Sequence, residues 1–202
     1  MTDSVAGPPG PISDATVARR PGKRARLAAA ASRVLHERGV ERTTLADIAR
    51  AADVPVGNVY YYFKTKDELV QAAIDAHAAR LGEMIAALDR LRTPQERLKA
   101  LIGGWVGQRD LAVRYGCPFG TLCSELDKRA DGLDRTAAEV MRILIDWAER
   151  QFRSMGRADA GELAVQLMAT YQGMSLLTNT FRDPEIMTVQ GRRLADWIDS
   201  LG

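Results

Sequence analysis

The chain has 202 residues, 46% hydrophobic and 27% charged, with a formal net charge of +2, the composition of an ordinary soluble globular protein. No run of roughly 18 apolar residues occurs, which excludes a helical membrane span. Two cysteines, Cys117 and Cys123, exclude a disulfide framework, and the opening MTDSVAGPPGPISDA lacks the basic-then-apolar pattern of a secretory signal, so a cytoplasmic location is expected.

Residues 1–18 are rich in Pro, Gly, Ser and Ala and hold almost no large apolar group. Such a segment cannot bury enough surface to offset its ordering entropy, so it reads as disordered. After residue 22 the periodicity is helical almost throughout. Leu27, Ala30, Ala31, Val34 and Leu35 share one face of a first helix, which Gly39 ends. Thr43 or Thr44 caps a short helix with Leu45, Ile48 and Ala49 inward. Asp53-Val54-Pro55 breaks it, and Gly57 to Phe63 forms another short helix. Thr65 caps a helix running from Lys66 towards Leu88, with Asp67 and Glu68 suited to its first turn.

Pro94 opens the next helix, which carries Leu98, Leu101, Ile102, Trp105 and Val106. Breaks are expected at Gly116-Cys117-Pro118 and at Asp131-Gly132. Leu133 to Met155 reads as a long helix with Val140, Ile143, Leu144 and Trp147 inward. A connector spans Gly156 to Gly161, a helix runs from Leu163 to Phe181, and a last one from about Glu185 to Leu201. No period-two pattern competes. The expected fold is all-α, with residues 19–66 forming a small head and 67–202 a larger helical body.

The charge is divided unevenly. From Arg19 to Lys66 eleven Lys/Arg face four Asp/Glu, a net of +7, and the other residues carry a net of −5. A phosphate-binding head would produce this, and so would a solvated basic face without a partner. The stretch Thr43 to Lys66 weighs on the first side. It reads as two short helices joined by a tight turn, a helix-turn-helix. Ala49 is small where the helices cross, Val54 plugs the turn, and Val59 and Phe63 hold the second helix inward. Val56, Gly57, Asn58, Tyr61 and Tyr62 are left outside, a face suited to a major groove.

This segment resembles the TetR/AcrR family of repressors. The pattern T-x-x-x-I-A-x-x-A-x-V-x-x-G-x-x-Y-x-(Y/H)-F-x-x-K-x-x-L is met by Thr44, Ile48, Ala49, Ala52, Val54, Gly57, Tyr60, Tyr62, Phe63, Lys66 and Leu69. The likeness is strong from about Lys23 to Leu81; beyond that only the architecture matches. The resemblance implies a helix-turn-helix head on a ligand-binding and dimerisation body, and a regulator released from palindromic operator DNA by a small-molecule effector. It places Thr44 and Lys66 on phosphate, Val56, Gly57 and Asn58 near base edges, and Tyr61 and Tyr62 on backbone or bases. Tyr60 is expected in the head's core. Arg19, Arg20 and the basic residues after them form either a minor-groove arm or a source of diffuse attraction.

The resemblance also implies a homodimer formed through the last two helices, whose apolar residues occupy more than one face. Trp105, Phe119, Met141, Trp147, Met168, Tyr171 and Met174 are candidate pocket liners, with plain core packing as the alternative. No acidic cluster marks a cation trap, so an apolar or mixed effector is expected. Cys117, beside Pro118 near an expected helix start, is a candidate thiol sensor; the alternative is that Cys117 and Cys123 are small buried apolar groups. No glycine-rich phosphate loop or metal-ligand cluster points to an enzyme, a cofactor or a metal. His36 and His77 read as surface or boundary residues. An enzyme is the main rival from another class, and an architectural DNA-binding protein without a pocket is the second rival.

Overall fold

The computed structural model describes residues 21–129 and 132–202. The expected disorder of 1–18, Arg19 and Arg20 of the basic arm, and Asp131 of the expected Asp131-Gly132 break lie outside the described residues. The described residues form ten α-helices: α1 Lys23–Arg38, α2 Leu45–Ala51, α3 Val56–Tyr62, α4 Lys66–Leu88, α5 Pro94–Gly107, α6 Arg109–Tyr115, α7 Gly120–Leu126, α8 Leu133–Ser154, α9 Ala160–Phe181 and α10 Pro184–Ser200. There is no strand among the described residues.

Local chemistry sets most boundaries. Gly39 ends α1 at φ 80°, a conformation that a Cβ disfavours. Thr44, not Thr43, caps α2: its hydroxyl accepts from Asp47 N while the Asp47 carboxylate accepts from Thr44 N. Thr43 is buried instead and donates to the Gly39 carbonyl at 2.6 Å. Asp53, at φ 52°, turns the chain, and buried Val54 donates its N–H to the Ala49 carbonyl. Thr93 caps α5 in the same reciprocal way with Glu96, while Thr65 caps α4 by accepting from Glu68 N, and the Glu68 carboxylate accepts from Lys64 N.

Two boundaries differ from the sequence expectation. The helix expected from Pro94 to the Gly116 break is cut at Gln108 into α5 and α6. Three glycines, Gly103, Gly104 and Gly107, weaken the helix there, and the change of direction lets α5 pack on α10 while α6 packs on α9. The last carbonyls of α6 are met from α9: Asn179 Nδ2 donates to Ala112 and Val113, and the Arg182 guanidinium to Val113 and Arg114. Further on, α9 starts at Ala160, inside the expected connector.

In the body, α8 packs on α9 and α10 on α5, while α1 rests on α4. At Gly191 the α10 backbone comes so close to α5 that an added Cβ would stand 2.3 Å from Val106 Cγ2. Trp147 is fully buried, its indole N–H donating to Asp89 at the end of α4 at 2.9 Å. Ile143, expected inward on α8, is exposed.

Candidate functional site

The α2–turn–α3 unit presents one side of α3 outward. Val59 and Phe63 are buried beneath it, Tyr61 is 78% exposed, and Val56 and Gly57 lie outward with it. Tyr60 is 52% exposed rather than part of the core, and Tyr62 is the half-buried one, edge-on to Tyr61 with ring centroids 5.0 Å apart. Each helical residue turns the chain by about 100°, so Tyr60 and Tyr62 flank the Val59–Phe63 face about equally. The neighbours, not the periodicity, decide which one is covered. Asn58 is half-buried at the start of this helix.

Around this face the charges are mostly tethered. Asp47 holds Arg38 at 3.1 Å and Arg50 at 3.5 Å, and the Thr44 hydrogen bonds keep its carboxyl below its ordinary range. Arg26 pairs with Asp53 at 3.5 Å. The ammonium of Lys64 donates to the Tyr60 carbonyl and that of Lys66 to the Glu41 carbonyl, so both are fixed beside α3. Arg24 stands 5.3 Å over the Phe63 ring. Lys23, Arg24 and Arg42 are exposed on the same small domain.

A cavity of about 320 Å³ lies in the body, walled by α4, α5, the α6–α7 loop, α8 and α9. Of the expected liners, Trp105, Phe119, Met141, Met168 and Tyr171 face it. Trp147 and Met174 do not: both are buried elsewhere in the core. The wall also carries His77, Arg80, Gln108, Cys117 and Gln172. Trp105 stacks on Tyr171 with centroids 4.1 Å apart, and His77 on Phe119 at 4.2 Å. His77 is therefore a cavity residue rather than a surface one. Burial first, then the charges of Arg80 and His36, push its pKa down to about 4. Burial also raises the Tyr171 phenol far above its ordinary value.

Cys117 is buried, and its sulfur accepts from Gly120 N at 3.2 Å and Gln172 Nε2 at 3.6 Å. Cys123 is half-buried away from the cavity, and burial pushes its thiol up to about 11. A more open cleft, about 340 Å³, separates α1 from α6 and shares Arg80 and Pro118 with the first cavity. His36, on its wall, donates Nε2–H to the Gly116 carbonyl at 3.1 Å.

Further ties surround the cavity, the first of them reaching the small domain. The Glu125 carboxylate on α7 accepts from Val40 N in the α1–α2 turn, across 85 residues of chain. Arg129, just past α7, pairs with Asp67 in the first turn of α4 at 2.6 Å. Sequence periodicity could not reveal these contacts, because they join residues 85 and 62 positions apart in the chain. On α9 the apolar residues Val165, Leu176, Leu177 and Phe181 are exposed, beside a core face made of Leu163, Leu167, Met168 and Met174.

Among the described residues no group of three His, Cys, Asp or Glu is placed to hold a metal ion, and no helix is long and apolar enough to cross a membrane. Residues 27–73 match the family model described as bacterial regulatory proteins, tetR family. The HTH-type transcriptional regulator TtgR of Pseudomonas putida is 29% identical over 162 residues, 75% of this chain and 77% of that protein. The HTH-type transcriptional regulator BetI of Rhizobium meliloti is 36% identical over 135 residues, 66% of this chain and 63% of its own. The crystal structure of a TetR transcriptional regulator from Legionella pneumophila superposes with a TM-score of 0.79 at 17% identity. That match covers 90% of this chain and 98% of the other, and it shows a shared fold.

Proposed function

The chain belongs to the tetR family of bacterial transcriptional regulators, and on that premise we propose that it is a cytoplasmic repressor, a homodimer that grips palindromic operator DNA and is released by a small-molecule effector. The DNA-binding head is residues 19–66 and the ligand-binding and dimerisation body 67–202.

One observation carries the DNA half of this reading: the side of α3 away from the core is open and aromatic, and it sits among basic side chains. A helix so presented enters a major groove. Val56, Gly57 and Asn58 approach base edges, Tyr61 and Tyr62 reach bases or backbone, and Thr44 and Lys66 position the head on phosphates. Tyr60 joins this set because it is exposed. Two heads are needed to read a palindrome, and the exposed apolar residues of α9, with α10 beside them, supply the face that pairs the copies.

The cavity is the effector site. A guest there presses on the α6–α7 loop and on α4; the loop region is tied to the head through Glu125 and His36, and α4 through Ser32, whose hydroxyl donates to the Ala73 carbonyl. It shifts the population between two head placements only by its difference in affinity for them. Duplexes selected from random DNA should share a palindrome, and Tyr61→Ala and Asn58→Ala should each weaken binding to it at least tenfold. Binding without sequence preference would leave only the architectural rival. Cys117 gives a second reading, favoured by its sulfur lying on the wall of the same cavity: the effector is an electrophile that alkylates this thiol. An inducer that acts equally on Cys117→Ser removes it.

A further inference from the structure

The cavity's walls hold a single formal charge. Among the lining residues Arg80 is the one Lys, Arg, Asp or Glu, and no carboxylate accompanies it. Arg80 lies on α4, is exposed, and has no ion-pair partner among the described residues. Two other wall groups, His77 and Tyr171, stay neutral near pH 7: His77 is depressed to about 4, and the Tyr171 phenol is raised. Around them lie the apolar bodies of Leu81, Val140, Leu144 and Met168.

The shape of the wall is equally specific. Trp105 and Tyr171 stack with an interplanar angle of 16°, and His77 and Phe119 with one of 3°. Two parallel ring pairs on the wall offer flat surfaces, which favour a planar guest stacked on them. The volume falls in the range of small-molecule sites. A charge of either sign is costly in such surroundings unless it finds a partner. An anion finds the Arg80 guanidinium, whose fork matches a carboxylate in two parallel hydrogen bonds. A cation meets only repulsion from Arg80 and no acceptor charge.

Taking the cavity as the effector site, we propose that its ligand is a flat, apolar monocarboxylate, stacked on the aromatic pairs with its carboxylate on Arg80. Gln108 and Gln172 take any neutral polar substituent. Because Arg80 also lines the cleft against α1, beside Arg33, His36 and Glu37, a bound carboxylate engages a side chain that faces the head.

The test uses three probes of one shape on the full-length protein by isothermal titration calorimetry: 2-naphthoate, 2-naphthamide and 2-naphthylmethylammonium. Naphthoate should bind at least tenfold more tightly than naphthamide, and the ammonium should not bind measurably. Quenching of tryptophan fluorescence by naphthoate should disappear in Trp105→Phe. Arg80→Gln should shrink the naphthoate–naphthamide ratio below threefold, while Arg80→Lys, which keeps the charge, should preserve most of it; a melting curve establishes that each variant is folded. Equal binding of naphthoate and naphthamide, or tighter binding of the ammonium, overturns the carboxylate assignment and leaves the cavity as a ligand site. Binding of none of the three also overturns it. The effector-site reading fails separately, if no compound that binds the cavity alters operator affinity.

Discussion

Glu125→Ala tests the link between body and head. The carboxylate accepts from Val40 N, and Val40 is 1% exposed. Removing it strands a buried amide. A hydrogen bond to a charged acceptor contributes about 1.5–3 kcal/mol, and partial entry of water into the space left behind brings the expected loss to about 2 kcal/mol. For a chain of this size that is roughly 4–8 °C in Tm. Gly39 supplies an internal control. A Cβ there would stand 2.8 Å from Glu125 Oε1, on a residue already at φ 80°. Gly39→Ala in the native background therefore costs backbone strain and pushes the carboxylate off Val40. In the Glu125→Ala background it costs the strain alone, so the two substitutions should be non-additive by about 1 kcal/mol or more. Urea unfolding at fixed protein concentration measures all four proteins. A Glu125→Ala variant within about 0.3 kcal/mol of native, or strict additivity with Gly39→Ala, would refute the tie.

Gly191→Ala should destabilise by about 1–3 kcal/mol through overpacking against Val106, and Val106→Ala should restore most of the loss; a thermal melt unchanged by Gly191→Ala would contradict the close approach of α10 to α5. His77 makes stability depend on pH. The unfolded chain binds this proton below 6.5 and the folded chain only below about 4, so its contribution is whole above pH 6.5 and is lost as pH falls towards 4. The loss amounts to at most about 1.4 kcal/mol per pH unit, roughly 3 kcal/mol in all. His77→Phe should flatten that part of the profile, and parallel profiles would show that His77 is not responsible. Leu176→Asp places a charge on the exposed apolar face of α9. Sedimentation velocity should then report monomer and operator affinity should fall steeply, whereas an intact dimer would move the interface elsewhere.

What could be read from the chain was what short-range chemistry controls. The α2 cap at Thr43 or Thr44, the stop at Gly39, the turn at Asp53–Pro55, the start at Pro94 and the tyrosine-bearing helix all follow from residues within one turn of one another, where capping, φ preference and apolar spacing act. Periodicity also separates Val59 and Phe63 from Tyr61, because they lie on opposite sides of one helix. It could not rank Tyr60 against Tyr62, which flank that inward face equally until neighbouring helices cover one of them. Nor could it tell Trp147, sealed against Asp89, from Trp105, open to the cavity, since both are apolar at helical spacing. The break at Gln108, the lone charge of Arg80 on the cavity wall, the stacking of His77 on Phe119 and the reach of Glu125 to Val40 depend on which helix faces and angles meet. Those are settled only when the whole core packs, because a contact between residues far apart in sequence leaves no mark on the local pattern of either.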